Sequence, residues 1–236
     1  MSTSNTRKLG LIGGMSWIAT RSYYEQLNTL YEKQRGAPAS APMLLDNLDF
    51  AGLAALEDDE DWARATDVLI ASARRLEAAG AGMLVIAANS MHRVYDKVQE
   101  QLSIPVLHIA ECVGEAMAAD GVKRAALVAT RNVATGSFYR RRLVAHGIDL
   151  LPPDLEEITQ IDRIVYDELV AGIATRDAER ALKTIIFGHS QDGAEAIVLA
   201  ATELELVVTV DANVLPIYSS TRIHVARAAQ WLLGGD

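Results

Sequence analysis

Residues 83–92 read Met-Leu-Val-Ile-Ala-Ala-Asn-Ser-Met-His, and residues 196–204 read Ala-Ile-Val-Leu-Ala-Ala-Thr-Glu-Leu. Each is a short apolar run that passes through two alanines into polar side chains. Runs this short, bounded by small and polar residues, read as buried strands. Each has a partner upstream: Leu-Gly-Leu-Ile-Gly-Gly at 9–14 and Ala-Ala-Leu-Val-Ala-Thr at 125–130, across a similar gap of roughly 75 residues. Working outward, strands are expected at 9–12, 43–50, 83–87, 104–107, 124–129 and 196–199, with extended pieces at 207–210 and 214–217. Three- and four-residue apolar spacing predicts helices over 17–35, 59–79, 91–102, 110–119, 136–145, 158–171, 175–191 and 221–233. Alternation of this kind indicates an α/β fold with mainly parallel sheet. The echo divides it into two related lobes, 1–105 plus 215–236 and 106–214. Ligands of parallel sheets bind beyond the carboxyl ends of the strands, so a cleft between the lobes is the expected site.

Composition narrows the function classes. The chain has 236 residues, half of them apolar, enough for a sizeable core. Its net charge of −9 argues against a nucleic-acid partner, which needs a basic face. No apolar run is long enough to span a membrane, and residues 1–8 are polar, unlike a signal peptide. One cysteine, Cys112, excludes an internal disulfide framework and fits a reducing, cytoplasmic setting. It lies in an amphipathic helix, where a buried inert thiol is the expected state.

Four places could carry chemistry. The Gly-Leu-Ile-Gly-Gly-Met-Ser-Trp stretch at 10–17 is a strand, a tight turn and a helix start. Its amides could hold an anion or could serve the turn alone; its glycines lack the dinucleotide spacing and no Walker lysine follows. Asn89 and Ser90 could cap the next helix or donate to a ligand carboxylate, and Thr202 and Glu203 pose the same alternatives in the second lobe. His92 starts a helix and could face the cleft. His108 and His224 read as packed histidines at helix ends, His146 and His189 as surface loop residues. None has metal-ligand spacing, so no metal is expected.

With these segments in hand, the chain resembles the aspartate/glutamate racemase family, the cofactor-independent amino-acid racemases. The similarity runs from about Lys8 to Leu233 through Leu-Gly-Leu-Ile-Gly-Gly-Met-Ser-Trp, Val-Ile-Ala-Ala-Asn-Ser-Met-His, Ile-Val-Tyr-Asp-Glu-Leu and Val-Leu-Ala-Ala-Thr-Glu-Leu. It implies two pseudo-symmetric Rossmann-like lobes, commonly in a homodimer, with no cofactor. It further implies two-base chemistry, in which one thiol takes a proton from Cα and the opposite thiol returns one on the other face. The family cysteines fall at Ala88 and Ala201, whose methyl groups move no proton. The substrate-binding set implied by the resemblance is Met15, Glu57, Asn89, Ser90, Thr130, Gln160 and Thr202. Glu57 stands where relatives have glutamine, Gln160 where they have lysine, and Ser219 where an acid is common; Ile18 and Ala19 lack a further acid and hydroxyl. Glu57 and Gln160, with Asp46, move the pocket charge negative, which favours an amino acid without a second carboxylate. The expectation is a racemase-family protein that does not racemise as written. The alternatives are a carboxylate- or amino-acid-binding pseudo-enzyme, and an isomerase, lyase or decarboxylase using Glu57, His92 or Glu203.

Overall fold

The computed structural model describes residues 7–210 and 212–235; residues 1–6 of the polar start lie outside them. The chain forms two compact units, Met1–His108 with His224–Asp236, and Ile109–Ile223. The first carries β1 (Leu9–Gly13), α1 (Trp17–Arg35), β2 (Met43–Asn47), α2 (Asp59–Ala78), β3 (Met83–Ile86), α3 (Tyr95–Gln99) and β4 (Val106–Leu107). The second carries α4 (Ile109–Ala119), β5 (Arg124–Val128), α5 (Arg131–Ala134), α6 (Ser137–Ala145), β6 (Asp149–Leu150), α7 (Leu155–Arg163), α8 (Arg176–Gln191), β7 (Ala196–Leu199) and β8 (Ile217–Ser219). Helix α9 (Ser220–Leu232) begins in the second unit and ends in the first.

Each unit holds one four-stranded sheet, ordered β2-β1-β3-β4 and β6-β5-β7-β8. All six pairings are parallel. The two orders are the same, which is the echo seen in the sequence. In both, the winding reverses between the first and third strands, so the carboxyl ends of β1 and β3, and of β5 and β7, form each unit's switch point.

Both faces of each sheet are covered, as parallel sheets require. Successive side chains point to opposite faces. Ile12, Leu84 and Ile86 accordingly pack with Leu69, Ala73 and Leu76 of α2, whereas Leu9, Leu11 and Val85 pack with Tyr23 and Leu27 of α1 and Val225 and Ala228 of α9. In the second unit Ala126, Val128, Ile197 and Leu199 meet Ile161, Leu182 and Ile186, while Ala125, Ala196 and Val198 meet Ile109, Val113 and Leu143. Local signals start these helices: Ser16 caps α1, and Asp58 caps α2 ahead of Asp59, Glu60 and Asp61.

Several expected elements change length for identifiable reasons. The strand expected over 43–50 stops at Asn47, because Asp49 accepts from the Ala51 amide (3.0 Å) and opens a 3₁₀ turn, Phe50–Gly52. The helix expected over 91–102 is a 3₁₀ turn, Ser90–Val94, followed by the short α3. Its C-terminal side is taken over by Gln99, which bonds Ile104 and Val106 backbone at 3.1 and 2.7 Å. The helix expected over 158–171 begins earlier, capped by Asp154, and loosens into a π turn, Ile164–Glu168, then a 3₁₀ turn, Leu169–Ala171. Residues 207–210 form no strand. β8 pairs with β7, so residues 217–219 belong to the second sheet rather than to the first lobe. Among the described residues no helix is long and apolar enough to cross a membrane.

Candidate functional site

In the first unit the ladder continues past β3 through an Ala87 amide bond to the Ile12 carbonyl, 2.9 Å. The two chain ends at the switch point therefore emerge side by side. The β1 end is closed on itself. Gly14 has φ +89°, and a Cβ there would lie 2.0 Å from the Leu48 carbonyl oxygen. Its amide donates to Thr20 Oγ1 (2.7 Å), the Thr20 hydroxyl donates to the Ser16 carbonyl (2.9 Å), and the Ala19 amide donates to Ser16 Oγ (3.3 Å). Two amides that could have served an anion are thus spent on the turn, which favours its structural reading. Met15 is buried in one apolar cluster with Leu53, Leu56, Ala88 and Met91.

The β3 end is different. Ala88 is buried, and Asn89 is 4 % exposed with neither its Oδ1 nor its Nδ2 hydrogen-bonded. Asn89 has helical backbone angles and makes no side-chain cap bond, so the capping alternative does not hold for it. A buried amide left unpaired costs about 1–3 kcal/mol and calls for an explanation. Ser90, next along, is half-buried.

Behind this turn lies a buried aromatic cluster. His92, 1 % exposed, points inward; its Nδ1 donates to the Ala88 carbonyl at 3.0 Å. Its ring lies 4.8 Å from His108 and 5.7 Å from His224, and Tyr95 stacks edge-on against His108 at 4.6 Å. His224 Nε2 donates to the Leu107 carbonyl (3.1 Å), which leaves Nδ1 to accept from the Tyr23 hydroxyl (2.9 Å). Burial, with His92 adding to it, pushes the His224 pKa down to about 3, so the ring is neutral.

The second unit repeats the frame. An Ala200 amide bond to the Val128 carbonyl, 3.0 Å, joins the ends of β5 and β7. Ala201, Thr202, Glu203 and Thr130 are all buried there. Neither Thr130 nor Ala201 makes a side-chain cap bond. Thr130 instead hydrogen-bonds with the Tyr166 hydroxyl, and Asp162 and Glu203 lie close enough to act on that phenol electrostatically. Desolvation first, then the two carboxylates, raise the Tyr166 pKa, so it stays a neutral donor. Tyr166 was overlooked as a site residue in the sequence, although the Ile-Val-Tyr-Asp-Glu-Leu segment that carries it stood out.

Other expectations need revision. Glu57 and Gln160 are both exposed, and the Glu57 amide donates to Asp61. Asp46 is paired with Arg75 at 3.1 and 2.6 Å, so its charge is compensated rather than added to a pocket. Ser219 is bonded to Glu205. His146 and His189 are not loose surface residues: they bond to Glu111 (2.6 Å) and Glu157 (2.9 Å) at helix C-termini. Cys112 is buried in α4. Among the described residues no three His, Cys, Asp or Glu side chains are grouped to hold a metal ion.

Comparison with known proteins places the fold and the sequence in one family. The family model Asp/Glu/Hydantoin racemase matches residues 12–228. The broad specificity amino-acid racemase RacX of Bacillus subtilis (strain 168) is 22% identical over 219 residues, covering 90% of this chain and 92% of RacX. The crystal structure of a candidate Asp/Glu racemase from Yersinia pestis superposes with a TM-score of 0.87 at 34% identity, covering 96% of this chain and 99% of that one. PH1733, an aspartate racemase homologue from Pyrococcus horikoshii OT3, gives a TM-score of 0.83 at 26% identity with the same coverages, 96% and 99%. With its family model spanning nearly the whole sequence and two parallel sheets wound in the same order, the chain belongs to the Asp/Glu/hydantoin racemase family.

Proposed function

We propose that the protein binds a small amino acid, or a related carboxylate, at its strand-end turns, and that it does not racemise that ligand by two-thiol chemistry. The observation that carries the binding reading is Asn89: a buried amide with both polar atoms unpaired, beside Ala88 at the switch point of the first sheet. A ligand carboxylate accepting from Nδ2 would remove the cost of that unpaired donor. Thr202 offers a buried hydroxyl at the corresponding place in the second unit. The proposed binding set keeps Met15, Ser90 and Thr130 with these two, and Glu57 and Gln160 as outer polar groups. Binding in this form calls on no cofactor.

The catalytic half of the reading follows from chemistry. Proton transfer at Cα needs an acid and a base within hydrogen-bond reach. Ala88 and Ala201 stand where the family thiols fall, and a methyl group has no dissociable proton. Because neither Glu57 nor Gln160 adds a cation, the preferred ligand carries one carboxylate only. A thermal-shift panel of amino acids tests this. Stabilisation by neutral or basic amino acids, lost in Asn89→Ala, is the expected result. A response to aspartate and glutamate alone contradicts the ligand class, and no response to any member contradicts the binding reading.

A further inference from the structure

The second unit holds a cavity that none of the strand-end residues line. It has a volume of about 430 Å³, within the range of small-molecule pockets. It lies where the start of β5, the loop between β6 and α7, and the end of α8 meet. Arg124, the first residue of β5, is on its wall, whereas Thr130 follows the other end of that strand. The five-residue strand, at about 3.3 Å per residue, sets the two places more than about 13 Å apart.

The wall is rich in hydrogen-bond acceptors and poor in donors. Pro152 and Pro153 carry no amide N–H. The Leu151 amide is spent on the Ala125 carbonyl, 2.9 Å away. The amides that open α7 are spent as well: Asp154 Oδ1 accepts from Glu156 (2.8 Å) and Glu157 (3.2 Å). His189 is nine-tenths buried, and its Nε2 donates to Glu157 Oε1 at 2.9 Å. Its other ring nitrogen, an acceptor in the neutral imidazole, makes no hydrogen bond among the described residues. Asp192 caps the C-terminal end of α8, where the helix dipole disfavours a carboxylate, and forms no ion pair among the described residues. The one guanidinium on the wall, Arg124, is half-exposed and leans on Asp149 at 3.9 Å. Three carboxylates and an imidazole acceptor thus share the cavity with a single, partly engaged cation, beside the apolar surface of Leu151 and the two prolines.

We propose that this cavity is a binding site for a small organic cation, a primary amine or a guanidine on a short alkyl chain. Its N–H groups meet the Asp154 and Asp192 carboxylates and the Nδ1 of His189, and its alkyl body covers the leucine and prolines. A carboxylate or phosphate fits the same wall badly, finding one guanidinium and three like charges. The site uses neither Asn89 nor any other strand-end group, so it stands or falls separately from the binding reading above.

Calorimetric titration in an amine-free buffer tests it with four-carbon probes: n-butylamine, n-butanol, butyrate and n-butyltrimethylammonium. Butylamine is expected to bind at least about tenfold more tightly than butanol or butyrate. It should exceed the quaternary ion, which has the charge and no N–H, about threefold or more. Asp154→Asn keeps a good capping residue while removing a charge, and Asp192→Asn removes one at an exposed helix end. Each should weaken butylamine about threefold, and the two together about tenfold. Far-ultraviolet circular dichroism and the thermal midpoint report whether the double variant folds; if it does not, Asp192→Asn alone decides. Butanol, butyrate or the quaternary ion binding as tightly as butylamine, unaltered butylamine affinity in the folded variants, or no butylamine binding at all overturns the inference.

Discussion

Individual side chains differ widely in what their loss should do. Gly14 has φ +89°, and an added Cβ meets the Leu48 carbonyl at 2.0 Å. Gly14→Ala is therefore strained in backbone and in contact, and should destabilise by more than about 1 kcal/mol in urea unfolding. Tyr23→Phe removes the hydroxyl that donates to His224 Nδ1 in a fully buried setting. It should cost about 1–3 kcal/mol, the range for stranding a buried polar atom. The Arg75–Asp46 pair looks comparable by distance, 2.6 Å, but the arginine side chain is 58% exposed. Arg75→Ala should cost no more than about 1 kcal/mol, since solvent screens such a pair. At this scale the sequence was informative about the turns and uninformative about partners. Ala88, Asn89, Ala201 and Thr202 were legible because each directly follows a short apolar strand. The charge of Asp46 was misjudged because its partner lies 29 residues away, on another element.

At the scale of elements, α9 brings His224 to Tyr23, His92 and the Leu107 carbonyl. The folded protein holds this ring neutral until its pKa of about 3, against an ordinary 6.5. Between those values the unfolded chain binds a proton that the folded chain refuses. Folding stability contributed by this site is thus present above pH 6.5 and lost progressively as pH falls towards 3. His224→Gln keeps a donor and an acceptor without titrating. It should lose less stability than the unaltered protein between pH 7 and 4.5, as read by denaturant unfolding at the two pH values. Equal losses would contradict the assignment. The helices that periodicity placed well, such as 17–35, have a cap and a full apolar stripe. The π turn was not legible, because Ile164–Glu168 has the composition of an ordinary helix and only packing against the Ala201 cluster reveals the change. Strand β6, two residues long, is too short for any alternation to show.

The whole molecule is one α/β plan used twice, with sheet orders β2-β1-β3-β4 and β6-β5-β7-β8. That plan was readable because the four strand-end motifs repeat in order, and family membership followed from the same motifs. Polar groups stand at both switch points alongside two methyl groups, Ala88 and Ala201, which the proposed reading takes as the places of the family's acid and base. If that is the only catalytic defect, Ala88→Cys with Ala201→Cys restores chemistry on the proposed binding frame. The decisive measurement is hydrogen–deuterium exchange at Cα of a bound amino acid in D₂O, followed by proton NMR for the unaltered protein and the double-cysteine variant. Binding without exchange in the unaltered protein, and exchange with racemisation in the variant, is the expected outcome. Exchange by the unaltered protein well above the background rate would show that other groups move the proton, and would contradict the claim that the frame has lost its acid–base pair.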